Sequence, residues 1–161
     1  MNNSNNFFPL FINLKNKNIL VIGAGKIAFR KVSTVLEYEG NIKILTREVR
    51  DPRLTKLALN NNLIDLQVGN FSREDLKKQC LNSFLVILAT DNEKLNEELY
   101  MYCDEHNILV NNITSKTLMN TRFASVLKEG EYVIGISANG DPKKSKALKN
   151  KLHSLDIGTI L

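Results

Sequence analysis

The chain has no tryptophan, only two cysteines, two histidines and three prolines, and no apolar run of membrane-spanning length. Each scarcity removes a class of protein. Cys80 and Cys103 have no CxxC spacing and no nearby histidine, which argues against a structural zinc site and reads as reduced thiols of core or surface. His106 and His153 sit in unrelated segments and make no ligand pair for iron, so no metal site is read. The opening residues are polar and uncharged as far as Asn6, and the apolar stretch that follows is too short and broken for a signal peptide or a membrane span. A cytoplasmic location is expected by default. With four Tyr and seven Phe there are few platforms for base stacking, and the 22 Lys and Arg are scattered among 17 Asp and Glu. The net charge of +5 therefore does not read as a nucleic-acid footprint.

What is present is an ordinary globular composition. At 161 residues, 43% hydrophobic and 24% charged, the chain is the size of one domain, or of a domain with a small appendage. Neither internal repeats nor a low-complexity linker occurs. Residues 17–22 form a short apolar run that ends at Gly23-Ala24-Gly25, and residues 26–37 follow with helical spacing. Strand-like runs at 42–45, 63–68, 84–89 and 108–110 then alternate with helical stretches at 53–61, 73–80 and 91–105. The run Phe84-Leu85-Val86-Ile87-Leu88-Ala89 is the most apolar and predicts a central strand buried on both faces. Asp91 or Asn92 is placed to cap the helix after it. Such alternation predicts an α/β fold with a Rossmann-like parallel sheet over residues 1–112. From 113 to 161 the rhythm changes: strand-like runs at 122–127 and 132–137, joined by Lys128-Glu129-Gly130-Glu131, predict an antiparallel hairpin. A basic amphipathic helix over 143–154 follows Pro142.

Gly23-Ala24-Gly25-Lys26-Ile27-Ala28 fits G-x-G-x-x-A between a strand and a helix, the context that a dinucleotide fingerprint requires. Gly23 makes the tight turn, Gly25 admits a pyrophosphate close to the backbone, and Ala28 lets helix and strand pack closely. Amides at the helix start then face the phosphates. At the end of the second strand, Leu45-Thr46-Arg47-Glu48 lacks an acid in the first position. Arg47 can meet a 2′-phosphate and Glu48 a ribose, leaving NADP and NAD both open. Ala89-Thr90-Asp91, at the carboxyl edge after the fourth strand, leaves room for a nicotinamide ribose, with helix capping as the alternative use of Asp91.

The segment Phe8–Lys15, the run Val21–Ala28 with Arg30-Lys31, Ala89-Thr90-Asp91 with Asn96, Val110-Asn111, and Ile136-Ser137-Ala138-Asn139-Gly140 together resemble the precorrin-2 dehydrogenase family of sirohaem biosynthesis. The order and spacing agree from about Phe8 to about Leu152. The resemblance implies NAD-dependent oxidation of precorrin-2 to sirohydrochlorin by a homodimer, with no role for nucleic acid or membrane. By the same resemblance Lys26, Ile27, Arg47, Glu48 and Asn111 lie at cofactor-contacting positions, and NAD is favoured over NADP. Residues 113–161 then correspond to a dimerisation and substrate-cleft extension, shorter than in relatives, which leaves one wall of the tetrapyrrole cleft incomplete.

Three features depart from the family pattern. Some relatives carry an aspartate three residues after the asparagine that matches Asn111, and here that position is Thr114. A hydroxyl replaces neither a general base nor a ferrous ligand, so Thr114 and Ser115 are candidates for orienting substrate or water, and ferrochelatase activity is not expected. Asp141 precedes Pro142 where relatives carry serine, and it is read as a helix cap. The chain also stops at Leu161, where relatives continue into further helices. Basic residues of the second half, among them Arg122, Lys128 and Lys143, can attract an anionic tetrapyrrole. Two other readings stay open: a nucleotide-sensing regulatory domain, and a non-catalytic carrier that keeps NAD or tetrapyrrole binding. A sensor would need an acid directly after the second strand and would not need the hairpin, which favours the enzyme.

Overall fold

The computed structural model describes residues 7–155. They fall into two compact units, one from Phe11 to Thr121, the other comprising Arg122 onward together with the residues up to Leu10. In the larger unit, strands β1 (Asn18–Ile22), β2 (Asn41–Thr46), β3 (Ile64–Val68), β4 (Leu85–Leu88) and β5 (Leu109–Asn112) form one sheet in the order β3-β2-β1-β4-β5. Every neighbouring pair is parallel. Helices α1 (Lys26–Leu36), α2 (Pro52–Leu59), α3 (Arg73–Leu81) and α4 (Glu93–Glu105) make the crossovers. The sheet and hairpin are those the spacing predicts.

The two central strands are apolar on both faces because helices cover both. Leu20, Ile22, Val86, Leu88 and Val110 meet Leu76 and Cys80 of α3 and Leu99 and Cys103 of α4. The intervening residues point the other way, where Ile19 and Val35 of α1 both border Gly40. Helix α1 buries Ala28, Val32 and Val35, one stripe at helical spacing. Burial of each large apolar side chain contributes about 1.5–3 kcal/mol, so this double-sided core is the main stabilising term. Cys80 and Cys103 are free thiols of the core, and contact with Cys80, then burial, raises the Cys103 thiol.

Strand β5 runs two residues beyond its apolar stretch, into Asn111 and Asn112, both buried. Asparagine is a poor strand former, and hydrogen bonds decide the matter here. The Asn111 amide donates to the Thr121 carbonyl at 2.9 Å, and Asn112 Oδ1 accepts from the Thr114 amide at 3.0 Å. Residues that follow fold back onto the same strand: the Asn120 and Thr121 amides both donate to the Val110 carbonyl. Among the described residues no helix is long and apolar enough to cross a membrane.

In the smaller unit, β6 (Ser125–Glu129) and β7 (Tyr132–Ile136) pair antiparallel with Glu129 opposite Tyr132. That leaves a two-residue loop whose first member, Gly130, has φ +55°, the left-handed conformation that selects glycine in hairpin turns. Strand β6 starts at Ser125, three residues later than its apolar run, and extends through Glu129 because the loop is that short. Helix α5 (Pro142–Ser154) is capped by Asp141, whose Oδ1 accepts from the Lys143 and Lys144 amides at 2.9 and 3.1 Å. The cap reading of Asp141 is what the structure shows.

Candidate functional site

The carboxyl edge of the parallel sheet carries the chemistry. Strand order reverses direction between β1 and β4, and ligands of open α/β sheets bind in the crevice at such a point. There the backbone turns out of β1 at Gly23, with φ +109° and its amide donating to the Leu45 carbonyl at 2.8 Å. A Cβ on Gly23 would stand 2.4 Å from the Ala89 carbonyl oxygen, so the fold itself requires glycine. Gly25 is different. Its φ is −97°, a value open to any residue, and a Cβ there would meet nothing within 4 Å. It serves as N-cap of α1 and, being glycine, offers no side-chain hydrogen bond to the first amides of that helix. Open space before uncapped amides, with Ala28 fully buried against the sheet, fits a dinucleotide pyrophosphate.

The loop after β2 is fastened to this turn, since the amides of Arg50 and Asp51 both donate to the Ala24 carbonyl at 3.0 Å. Thr46 Oγ1 donates to the Glu48 carbonyl at 2.7 Å, a tight bend that leaves Arg47 and Glu48 exposed. Asp51 caps α2 and is clamped by Arg53, whose Nε and Nη2 lie 2.9 and 2.6 Å from its two oxygens. The Arg53 hydrogen bonds hold the Asp51 carboxyl below the ordinary aspartate value. Arg50 instead reaches across to the loop after β4, where its Nη1 is 2.5 Å from Asp91 Oδ2, and this contact lowers the Asp91 pKa.

Past β4, Ala89 is buried and Thr90 half-buried. Thr90 Oγ1 donates to Asn96 Oδ1 at 2.6 Å, and Asn96 Nδ2 returns bonds to the Thr90 carbonyl at 3.0 Å and to Thr114 Oγ1 at 3.2 Å. Thr114 Oγ1 in turn donates to Asn112 Oδ1 at 2.8 Å. The Thr114 hydroxyl proton is thus committed within the protein, and its oxygen keeps one lone pair. Ser115 Oγ accepts from the Thr117 and Leu118 amides at 3.2 and 2.9 Å. Asn111 points inward, toward the Thr121 carbonyl.

Gly23, Ala24, Gly25, Lys26, Ile27, Arg47, Glu48, Ala89, Thr90, Asp91, Thr114 and Ser115 thus lie on the loops and helix start at one sheet edge, and Asn111 is the penultimate residue of β5. Three residues there were not among the predicted site residues, although Asn96 was one of those that carry the family resemblance. Arg50 gave no local signal, because its partner is 41 residues away. Asn96 did give one: it occupies the buried stripe Asn96-Leu99-Cys103 of α4, where an unpartnered amide would be costly. Asn112 was hidden by its polarity, which argued against a strand. Asn92, and not Asp91, caps α4, its Oδ1 accepting from the Leu95 amide at 3.1 Å. Among the described residues no group of three or more His, Cys, Asp or Glu is placed to hold a metal ion.

Five parallel strands with the glycine turn at the point of reversal define a doubly wound dinucleotide-binding domain. The chain belongs to the family described as "Putative NAD(P)-binding", whose model matches residues 10–125. It is similar to the siroheme synthase of Buchnera aphidicola subsp. Acyrthosiphon pisum, at 31% identity over 151 residues, 93% of this chain and 31% of that protein. Similarity to the siroheme synthase of Blochmanniella floridana is 33% over 150 residues, again 31% of the relative. The chain therefore spans under a third of the length of these curated relatives. Among solved structures, SirC, precorrin-2 dehydrogenase, shares the fold with a TM-score of 0.76 at 22% identity, over 92% of this chain and 70% of that one. These are the relatives to which the sequence resemblance points.

Proposed function

We propose that the protein is an NAD-dependent precorrin-2 dehydrogenase, oxidising precorrin-2 to sirohydrochlorin. The observation that carries the reading is the glycine at position 25, which the fold does not require and a bound dinucleotide does, in a chain whose relatives bear the names siroheme synthase and precorrin-2 dehydrogenase. The chemistry NAD would supply is acceptance of a hydride from a ring carbon of the macrocycle, with the accompanying proton released to solvent. The chain's part is placement. Backbone amides at Gly25, Lys26 and Ile27 would hold the phosphates, Arg47 and Glu48 would serve the adenosine ribose, and Ala89, Thr90 and Asp91 would serve the nicotinamide end, with Asn111 on the neighbouring strand.

Thr114 and Ser115 serve as orienting groups. With its proton held by Asn112, the Thr114 oxygen can accept a hydrogen bond from substrate or water but is no general base. No carboxylate stands at that position, so iron insertion is not part of the proposal. Residues 1–112 form the NAD-binding part, and 113–161 supply a dimerisation and substrate-cleft extension of a cytoplasmic homodimer. The test is anaerobic incubation of purified protein with precorrin-2 and NAD, followed by visible absorption. Sirohydrochlorin should form only when protein and NAD are both present. No acceleration, in a folded preparation that binds NAD, would overturn the dehydrogenase and favour a sensor or carrier.

A further inference from the structure

The ion pair between Arg50 and Asp91 joins the loop after β2 to the loop after β4. Strand β1 lies between those two strands, so the pair spans the end of β1, where the glycine turn opens. Neither loop depends on it. Backbone bonds to the Ala24 carbonyl fix Arg50 and Asp51, and Thr90, Asn92 and Asn96 fix the other side. Both side chains are mostly exposed, at 61% and 69%, which makes the pair cheap to open. Glu48 stands 3.8 Å from Arg50 Nε, and Arg47 adds its positive field at Asp91, so the charges at this mouth are mixed.

We propose that Arg50 is a phosphate-binding residue of the dinucleotide site, held by Asp91 until a nucleotide enters. Binding exchanges one anion for another: the guanidinium leaves the carboxylate and takes a phosphate oxygen, the stronger and better-shaped partner for its fork of donors. Asp91, being negative, opposes the incoming phosphates while Arg50 favours them. The inference rests on the family's dinucleotide binding and adds a residue and a competition to it.

Opposite signs distinguish this exchange from a purely structural strap. Binding of NAD and NADH is measured by calorimetry and nucleotide fluorescence for the full chain, alongside thermal midpoints. Arg50→Ala should raise the Kd about tenfold. Asp91→Asn, which frees Arg50, should lower it about threefold, and Arg50→Lys should recover part of the loss. Midpoints should stay together, since both groups are exposed. Weaker binding in Asp91→Asn, or unchanged binding in Arg50→Ala, would overturn the proposal. Absence of binding in the unaltered protein would instead strike the family reading, and Gly25→Val serves as the variant that loses the site altogether.

Discussion

Gly23 and Gly25 stand two residues apart, yet a side chain at each would meet different surroundings. At Gly23 the backbone φ of +109° and the Ala89 carbonyl 2.4 Å from a Cβ both oppose substitution. Gly23→Ala is expected to cost the fold about 2 kcal/mol or more, read as a fall in thermal midpoint. At Gly25 the added atoms would enter open space, so Gly25→Val should change stability by less than about 1 kcal/mol while abolishing NAD binding. A similar loss of stability in both variants would show that Gly25 serves the fold. The hydroxyl of Thr114 gives a second residue-level expectation. Thr114→Ala removes the hydrogen bond proposed to substrate or water, together with those to Asn112 and Asn96, and should lower turnover by at least roughly tenfold, or about 1.4 kcal/mol. Asn96→Ala strips partners from Thr90 and Thr114 at a fully buried position, and should cost about 2 kcal/mol of stability in urea unfolding as well as turnover. An unchanged rate in Thr114→Ala would remove that residue from the mechanism.

At the scale of elements, the short loop from β4 to α4 assigns three consecutive polar residues to three tasks. Thr90 bonds to Asn96, Asp91 to Arg50, and Asn92 to the α4 amide of Leu95. Asn92→Ala should therefore lower stability by about 1 kcal/mol through the lost cap, whereas Asp91→Asn leaves the helix intact. A larger loss in Asp91→Asn, measured by thermal unfolding, would reverse that assignment. The sequence could not choose between the two caps because both residue types are good ones. What it did reveal were the elements whose signal is local: the buried stripe of α1, the apolar runs of β1 and β4, and the Asp-Pro start of α5, whereas the capping box of Ser72 and Asp75 at α3 was seen only in the structure. The end of β5 was illegible because tertiary hydrogen bonds, not propensity, hold Asn111 and Asn112 in the strand. Gly23 and Gly25 were legible as a motif, but only the open space beside Gly25 separates their reasons. Arg50 was illegible because its partner comes from a different crossover.

Across the whole molecule, the ion pairs and caps should show in the pH dependence of stability. Three carboxyls of the larger unit that cap or pair within it are held below their ordinary values: Asp51 by Arg53, Asp75 by Ser72 and Glu98 by Lys77. Between the folded and unfolded pKa values the unfolded chain binds more protons, so their stabilisation is complete above about pH 4–5 and fades as pH falls through the folded values. Thermal midpoints should hold nearly level from neutral pH to about 5 and then drop, with a shallower drop in Arg53→Ala. Lys31 works in the other direction. Burial, then the neighbouring Arg30, pulls its ammonium down to about 8, so folding opposes its charge below that pH. Between about 8 and 10.5 the unfolded chain again holds the extra proton, and the Lys31 contribution to stability rises with pH. Comparing the protein with Lys31→Met isolates this contribution from other groups that titrate in the same range. The protein should gain on the variant between pH 7 and 10, and a difference that stays constant would show that the lysine is solvated and charged in the fold.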